Sequence, residues 1–475
     1  MSEKYVFDRE ELAQWTGANK EAMVEELKKW VSHPSVSRED LGKPGAPYGP
    51  DVRAMLDFAL ERGKAYGFEV KDFEGYAGSV YYGEGESEIG IIAHMDVVPE
   101  GSGWIFAPYD PVEKDGYLIG RGVGDNKGPG VAGLYVLKYL KDHNIKTKHK
   151  IRLILGTSEE TGMQDMKEYV KRGLGPIPTL TLVADAGFPV CFAQKGGLNV
   201  TGRFSGGKDL VDLESGSVRN AVPDLATLKL KNITASKAAE LIGDTTDFDI
   251  TEEDGIVTIA AHGRAGHAAS PQTSDNALTK LSRATAKLAE AGVDLGAVPA
   301  IGKLFSDFNG GSCGLGVEDE ITGKLTINAG VVHTKDGICT LELDSRYPIS
   351  FKGEDLAKSL TEKMNAEGIE VAAVGGSDPF YIDPKSPAVT TLMGVYKDIT
   401  GDDTPAYAIG GGTYSKALPN AVTFGPSLRT RRKPDFLPEG HGNAHGRDEA
   451  LNIEDWLTGF RIYVESILKL DDILD

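Results

Sequence analysis

Three apolar runs of this chain end in histidine or carboxylate residues, a glycine-rich loop carries an aspartate, and a distal segment contains two histidines. This pattern is the strongest constraint on the fold of the chain. Ile89–Asp96 and Ile151–Glu160 are apolar runs that end in His-Met-Asp and Ser-Glu-Glu. Leu182–Asp185 is a shorter run, Gly120–Gly128 is a glycine-rich loop with one aspartate, and His441–Glu449 contains two histidines. Because ligands bind at the carboxyl ends of strands in open α/β sheets, we expect these side chains to meet at one sheet edge.

The side chains in these segments are of the kind that binds a divalent metal ion. Imidazole nitrogens and carboxylate oxygens, without thiolates, suit Zn, Mn or Co. Two histidines and three carboxylates, with one carboxylate bridging, would suit two ions. The sequence therefore predicts a metal centre.

His94 and Asp96 lie two residues apart on a predicted strand, so their side chains share a face. A carboxylate there can hold the second nitrogen of the imidazole and fix its tautomer. The alternative is a capped strand end with a hydrogen-bonded histidine. For Asp125 the alternative to metal binding is capping of the helix that follows it.

Glu159 and Glu160 are adjacent, so on an extended chain their side chains point in different directions. One could bind metal while the other acts as a general base on water. The alternative is a solvated Glu-Glu turn. Asp185 follows a predicted strand and could equally be a turn residue.

Strand and helix patterns alternate through the first 190 residues, as in a mainly parallel sheet covered by helices. The predicted helices there cover 21–31, 51–67 and 164–171, with another after Asp125, and the strands cover 68–73, 89–93, 150–155 and 179–184.

The next block repeats a strand-strand-helix theme. Its predicted strands cover 198–204, 226–230, 256–262, 324–332, 337–346 and 369–374, and its predicted helices cover 234–242, 274–291 and 354–367. From Ala388 a helix, two strands and a final helix with Asn452 as its N-cap follow.

Ligand-bearing segments lie on both sides of this middle block. The predicted architecture is therefore α/β: a mainly parallel-sheet domain, formed by residues 1–190 and 387–475, is interrupted by an inserted α+β domain over residues 191–386 with two similar halves. A chain of 475 residues is also too long for one compact core.

The composition limits the partners and the compartment. A formal net charge of −20 argues against nucleic acid or an anionic membrane as the main partner. Cys191, Cys313 and Cys339 are an odd number without metal-ligand spacing, which indicates free thiols in a reducing compartment. Residues 1–20 contain no apolar signal-like run, and no stretch is apolar over a membrane-spanning length. We therefore expect a cytoplasmic protein without a membrane partner.

Together these motifs resemble the co-catalytic di-zinc peptidases, a group that includes aminoacylase, carboxypeptidase G2 and the PepV-type bacterial dipeptidases. The resemblance covers nearly the whole chain and rests on His94–Asp96, Gly122–Pro129, Ser158–Gly162, Asp185 and Ala444–Glu449, in that order. The PepV type is the most similar for three reasons: the length of the inserted domain, the Gly-Gly-Gly-Thr-Tyr run over 410–414, and a 215–223 segment similar to an Asn-x-Val-Pro loop.

The resemblance implies a role for each matching residue. One metal would be bound by His94, Asp125 and Asp185, and the other by Asp125, Glu160 and His445. Glu159 would be the general base, and Asp96 would orient His94. In the inserted domain, which would be a lid, His267 would donate to the oxyanion, and Asn220 and Arg346 would hold the carboxylate end of the substrate. The Asp125–Asn126 bond would be a non-proline cis peptide.

The resemblance also implies an activity. Two divalent ions per chain, zinc with Mn or Co as alternatives, would support hydrolysis of dipeptides that have a free N-terminus, so the expected partners are small peptides. An N-acyl amino acid deacylase with the same metal centre is the alternative, and a non-catalytic peptide binder is a third. The two similar halves of the lid suggest that a second lid unit exists within one chain, which predicts an active monomer.

Two features depart from the resemblance. The distal motif reads His-Gly-Arg-Asp-Glu, where similar proteins often have Asn before the final Glu, and His441 lies four residues before His445. The spacing within Ala444–Glu449 fits the resemblance and favours His445 over His441 as the metal ligand. The segment from Leu428 to Pro434 is strongly basic, and we interpret it as a solvated loop.

Overall fold

The structure is a computed structural model that describes residues 7–428 and 434–474, and it contains two compact units. The first comprises Met1–Phe192, Ile382–Tyr407 and Thr413–Asp475, and the second comprises Ala193–Tyr381 and Ala408–Gly412. Most of the basic segment noted above, residues 429–433, lies outside the described residues. The functional division into a catalytic domain and a lid stays a prediction.

The α-helices of the described residues are α1 Arg9–Val31, α2 Pro50–Ala65, α3 Lys127–Asp142, α4 Gln164–Arg172, α5 Ala235–Ile242, α6 Ala277–Glu290, α7 Val298–Phe305, α8 Gly353–Ala366, α9 Pro387–Thr400 and α10 Ile453–Ile473. The first strands are β1 Glu69–Phe73, β2 Ala77–Tyr82, β3 Glu88–His94, β4 Val112–Lys114, β5 Tyr117–Ile119, β6 Lys150–Gly156, β7 Leu180–Val183, β8 Ala186–Gly187, β9 Val190–Gln194, β10 Gly196–Ser205, β11 Leu210–Ser215, β12 Ala221–Val222 and β13 Leu225–Leu230. The later strands are β14 Phe248–Glu253, β15 Ile256–His262, β16 Gly266–His267, β17 Glu318–Asp319, β18 Gly323–Lys324, β19 Thr326–Lys335, β20 Ile338–Tyr347, β21 Glu370–Ser377, β22 Phe380–Tyr381, β23 Tyr407–Ile409, β24 Ala421–Phe424, β25 Pro426–Ser427 and β26 Ala450–Asn452.

The first unit is built on a mixed sheet in which the central strands are parallel. Its strands run in the order β1-β2-β6-β3-β7-β24. The pairs β6/β3, β3/β7 and β7/β24 are parallel, whereas β1/β2 and β2/β6 are antiparallel. The three central strands are buried along nearly their whole length, as expected for parallel strands covered by helices. The predicted α/β class with a parallel sheet is confirmed.

The last helix of the first unit begins and packs as its sequence predicts. Asn452 occupies its N-cap, and the Asn452 side-chain oxygen accepts the amide of Asp455 at 3.0 Å. The predicted apolar stripe is fully buried at Trp456, Phe460 and Tyr463.

Helix α1 is much longer than its apolar periodicity indicates. The sequence predicts a helix only from Glu21, whereas α1 begins at Arg9, after Asp8 caps it by accepting the amide of Glu10 at 2.8 Å. Trp15 explains the extension, because its ring stacks on Phe460 at 5.7 Å between centroids. Tertiary packing of this kind outweighs weak local helix propensity.

The second unit is built on an eight-stranded antiparallel sheet in the order β14-β15-β13-β11-β19-β20-β10-β21. Helix α6 packs on β13 and β15, and α8 packs on β10 and β21. The predicted similarity of the two halves stays a prediction.

Among the longer elements of the second unit, β11, β14 and α7 were not predicted from the sequence. Strand β14 exposes most of its side chains at the edge of the sheet, so it lacks a clear apolar pattern. Helix α7 covers Val298–Phe305, where no helical period was recognised. Within the described part of the chain, no helix is long and apolar enough to cross a membrane.

Candidate metal centre

The strands of the first unit bring three of the predicted segments to one edge of the sheet. Strand β3 ends at His94, and β6 ends at Gly156, just before Glu159 and Glu160. Strand β7 ends two residues before Asp185. Since the three strands are adjacent and parallel, their carboxyl ends lie side by side.

Asp125 lies between two imidazoles, one on each of its carboxylate oxygens. Oδ1 is 3.0 Å from Nε2 of His94, and Oδ2 is 2.9 Å from Nε2 of His445. Asp125 therefore lies between two histidines, with a different carboxylate oxygen toward each.

Each imidazole also lies close to a further carboxylate. Asp185 Oδ1 is 3.8 Å from His94 Nε2, and Glu160 Oε1 is 2.9 Å from His445 Nε2. Ligand atoms of His94, Asp125 and Glu160 lie within 4.8 Å of one another, as do those of His94, Glu159 and Asp185. Both groups have the ligand types and proximity that a divalent ion requires.

Glu160 provides a test of whether these residues suit a cation. Its Oε1 atom is buried and accepts no hydrogen bond from the described residues, although the His445 nitrogen is near. A buried carboxylate oxygen without a donor is costly, and a bound cation would remove that cost. The residues present therefore fit a metal ion.

The electrostatics of the cluster also indicate a deficit of positive charge. Burial and the nearby Asp125 carboxylate raise the pKa of Glu160 to about 7, and burial together with Asp185 raises the pKa of Glu159 well above its usual range. The Asp125 and Glu160 carboxylates raise the pKa of His445 to about 11. Asp125 is the exception, because hydrogen bonds from the His445 and His94 imidazoles lower the pKa of its carboxyl group. The other acids and both imidazoles hold protons more tightly, which is typical of a site that favours cations.

Asp96 lies close to His94 through both its backbone carbonyl and its carboxylate, and its role in orienting His94 stays a prediction. Nδ1 of His94 lies 2.9 Å from the backbone carbonyl of Asp96, whereas the Asp96 carboxylate is 3.4 Å away. A carbonyl only accepts, so Nδ1 carries a proton and Nε2 faces Asp125. The Asp96 carboxylate accepts the amides of Glu159 and Glu160, both at 3.1 Å.

Asn126, for which the sequence analysis predicted only the cis peptide bond, connects the ends of β3 and β7 through its side chain. Asn126, not Asp125, occupies the N-cap position of α3, and the Asp125–Asn126 peptide is cis. The Asn126 side-chain oxygen accepts the amide of His94 at 3.2 Å. Its nitrogen donates to the carbonyl of Ala184 at 2.7 Å and to Asp185 at 3.2 Å.

Glu449 fixes the glycine-rich loop that carries Asp125. This fully buried carboxylate accepts the amides of Gly122, Gly124 and Asp125 at 2.9–3.0 Å, and Arg121 donates to it at 3.0 Å. The signal for Glu449 was its place at the end of the distal motif.

The distal histidines have different environments. His445 has a left-handed backbone, φ 61°, and its side chain lies at Asp125 and Glu160. His441 Nδ1 instead lies 2.5 Å from Asp448, whose carboxylate also accepts two amides of the 105–106 loop. The structure places His445, and not His441, beside the proposed ligands.

The predicted lid residues lie in the second unit, and hydrogen bonds hold Arg346 and the segment that contains Asn220. Asn220 and His267 lie in or beside the paired strands β12 and β16, and both are exposed. Arg346 on β20 donates two parallel hydrogen bonds to Asp344, at 2.7 and 2.8 Å. Opposite Asp344, the side chain of Asn328 donates to the carbonyls on both sides of Asn220, at 3.0 and 2.8 Å. Asn328 had no signal in the sequence.

Comparison with known proteins identifies relatives along the whole chain. Residues 90–469 match the profile of Peptidase family M20/M25/M40. A Bacillus subtilis protein named "Putative dipeptidase YtjP" is 31% identical over 95% of this chain and 97% of its own length. A Staphylococcus epidermidis protein named "Putative dipeptidase" is 30% identical over 94% of this chain and 97% of its own length.

Solved structures show the same fold at low sequence identity. Human carnosine dipeptidase 1 has a TM-score of 0.59 at 13% identity and covers 98% of this chain and all of its own. The dipeptidase Dug1p of Saccharomyces cerevisiae has a TM-score of 0.60 at 14% identity, with 98% of each chain covered.

Replacement of the two distal histidines should separate their roles. We expect the wild type to bind two metal ions and His445→Ala to bind one, because Glu160 and Asp125 would lose the imidazole between them. His441→Ala is the matched control and should keep both ions, since His441 lies at Asp448. Metal analysis after gel filtration measures the stoichiometry, and the opposite pattern would exchange the two assignments.

Proposed function

Because the chain belongs to Peptidase family M20/M25/M40, we propose that it hydrolyses dipeptides that carry a free N-terminus. The single observation that carries the mechanistic part of this proposal is the position of Asp125, with one oxygen toward His94 and the other toward His445. The names of the relatives at 30–31% identity support the substrate class.

The first-unit cluster supplies the residues that would hold two metal ions. His94, Asp125 and Asp185 would bind one ion, and Asp125, Glu160 and His445 would bind the other. Two divalent ions, zinc or else Mn or Co, supply Lewis acidity toward the peptide carbonyl and increase the acidity of water. The absence of cysteine from the cluster suits any of these metals.

Glu159 is the proposed general base. Burial and the neighbouring Asp185 raise the pKa of its carboxyl group, which strengthens it as a proton acceptor. It takes a proton from the attacking water as the C–O bond forms. It then delivers that proton to the leaving nitrogen as the C–N bond breaks, so one carboxylate serves both steps.

Three residues of the second unit complete the proposal. His267 would donate to the oxyanion, and Asn220 and Arg346 would hold the substrate carboxylate. Asp344 supports this role for Arg346, because it occupies Nε and Nη2 and thereby orients the remaining N–H groups.

A deacylase with the same residues is the competing function. A dipeptidase must accept a free α-amine where a deacylase accepts an acyl group, so the two differ in substrate and not in metal chemistry. A non-catalytic peptide binder is disfavoured, because the base and all the ligands proposed for two ions are present in one cluster.

A substrate panel tests the proposed function directly. Metal-stripped protein refilled with Zn, Mn or Co should hydrolyse dipeptides and leave the matching N-acetyl and N-succinyl amino acids intact. The stripped protein should be inactive. Preference for the acylated amino acids would assign a deacylase, and stoichiometric binding of dipeptide without product would assign a binder.

Glu159→Gln should abolish most turnover while metal content stays normal. The amide cannot accept the proton of water, and removal of a general base typically costs about 10²–10⁴ in rate. The adjacent Glu160→Gln is the contrasting variant, since it should also lose metal. Near-normal kcat in Glu159→Gln would refute the assignment of the base.

Substitutions of the predicted lid residues should change different kinetic parameters. His267→Ala should lower kcat by about 10²-fold with little change in KM, because an oxyanion donor acts in the transition state. Arg346→Ala should mainly raise KM, since it binds the carboxylate in both states. Steady-state kinetics on one good dipeptide would show the split, and unchanged kinetics for both variants would remove these residues from the site.

A further inference from the structure

Four consecutive backbone amides lead into the proposed base, and all of them donate to buried carboxylates. Asp96 accepts the amides of Glu159 and Glu160, as described above. The two preceding amides, of Thr157 and Ser158, donate to Oδ2 of Asp165 at 2.6 and 3.0 Å. Asp165 lies in the first turn of α4 and belongs to none of the recognised motifs.

Tyr414 completes this arrangement from a distant part of the chain. Its hydroxyl donates to the same oxygen of Asp165 that receives the two amides. Both side chains are fully buried, and the Tyr414 ring lies edge-on to His94 at 6.5 Å between centroids. Tyr414 ends the Gly-Gly-Gly-Thr-Tyr run, which the proposed function does not yet use.

The end of β6 leaves space for the Tyr414 hydroxyl because residue 156 is glycine. A Cβ atom at Gly156 would overlap the Tyr414 hydroxyl and would lie 2.8 Å from the Asp165 carboxylate. Any residue other than glycine would therefore displace the hydroxyl from Asp165.

The protonation states of Tyr414 and Asp165 at neutral pH favour the hydrogen bond between them. Burial and the Asp165 charge raise the pKa of Tyr414 well above its usual range, so the hydroxyl remains a donor. Burial, with a further contribution from Asp96, raises the pKa of Asp165 to about 6, so the carboxylate is mainly ionised at neutral pH.

We propose that Tyr414 and Asp165 are positioning residues that hold the 157–160 loop so that the carboxylate of Glu159 faces the substrate. The inference rests on the proposed function, because it assigns Glu159 as the base. Tyr414 itself does not touch the reacting atoms. It fixes an oxygen of Asp165, Asp165 fixes two amides, and these amides fix the chain immediately before Glu159.

Tyr414→Phe tests the inference, because it removes one hydroxyl and keeps the buried ring. We expect kcat to fall by about tenfold or more, as for loss of one well-placed hydrogen bond, with KM changed by less than about twofold. Metal content should stay at the wild-type value. Hydrogen–deuterium exchange of the peptide that covers residues 157–160 should become faster.

Tyr396→Phe is the matched control. Tyr396 is a buried tyrosine of the same unit that donates to Asp402 at 2.6 Å, and it belongs to no proposed site. It should show wild-type kcat and unchanged exchange at 157–160. If both variants lose kcat equally, the effect is general destabilisation and the inference is overturned.

A double-mutant cycle separates positioning from any other contribution. In a Glu159→Gln background Tyr414→Phe should cost nothing further in kcat, because there is no base left to position. An additive loss would overturn the inference. Asp165→Asn can replace Tyr414→Phe in the same double-mutant cycle, and we expect the same result.

The activity of the wild-type protein distinguishes failure of the positioning role from failure of the proposed function. An active wild type with a fully active Tyr414→Phe variant would overturn the positioning role alone. A wild type that hydrolyses neither dipeptides nor N-acyl amino acids would overturn the proposed function and this inference together.

Discussion

Buried carboxylates held by backbone amides are the interaction on which the proposed site depends. Asp96, Asp165 and Glu449 are all nearly inaccessible to solvent, and a buried carboxylate is costly unless donors surround it. Seven amides of the two loops that carry the proposed ligands supply those donors. The same hydrogen bonds that compensate the buried charge therefore fix the backbone positions of Asp125, Glu159 and Glu160.

This arrangement leaves a second group of carboxylates facing inward without enough donors. In the described part of the chain, the donors beside the two Asp125 oxygens are imidazole nitrogens, and Glu160 has an oxygen that accepts no hydrogen bond. The cluster is thus rigid in its backbone and deficient in positive charge. Such a group of pre-organised carboxylates and imidazoles is suited to metal binding, because a cation would compensate the negative charge and little reorganisation would be needed when it binds.

The second unit uses the same principle with amide side chains. Asn328 fixes the segment around Asn220, and it is held in turn by Asn276, which donates to it at 2.8 Å. Asp344 fixes the plane of the Arg346 guanidinium. An oriented arginine fork suits a carboxylate, which is the group that every dipeptide and every N-acyl amino acid presents at one end. These residues therefore do not distinguish the two candidate activities, and the choice depends on the amine end of the substrate.

The sequence by itself determined the α/β class, the four parallel strands of the first unit, six of the eight strands of the second sheet, and the segments that meet at the sheet edge. It could do so because apolar periodicity is local, and because neighbouring parallel strands must bring their carboxyl ends together. It also marked Asn452 as a helix cap, which the hydrogen bond to Asp455 bears out. The spacing of the distal motif had favoured His445 over His441, and in the structure His445 lies at Asp125 while His441 lies at Asp448. Only the tertiary structure decided that the Asp96 carboxylate accepts amides while its carbonyl lies at His94. Asp165 was likewise visible only in the fold, because its partner Tyr414 lies 249 positions away in the chain. Such contacts depend on loop conformations and long-range hydrogen bonds, which no periodic pattern of residues encodes.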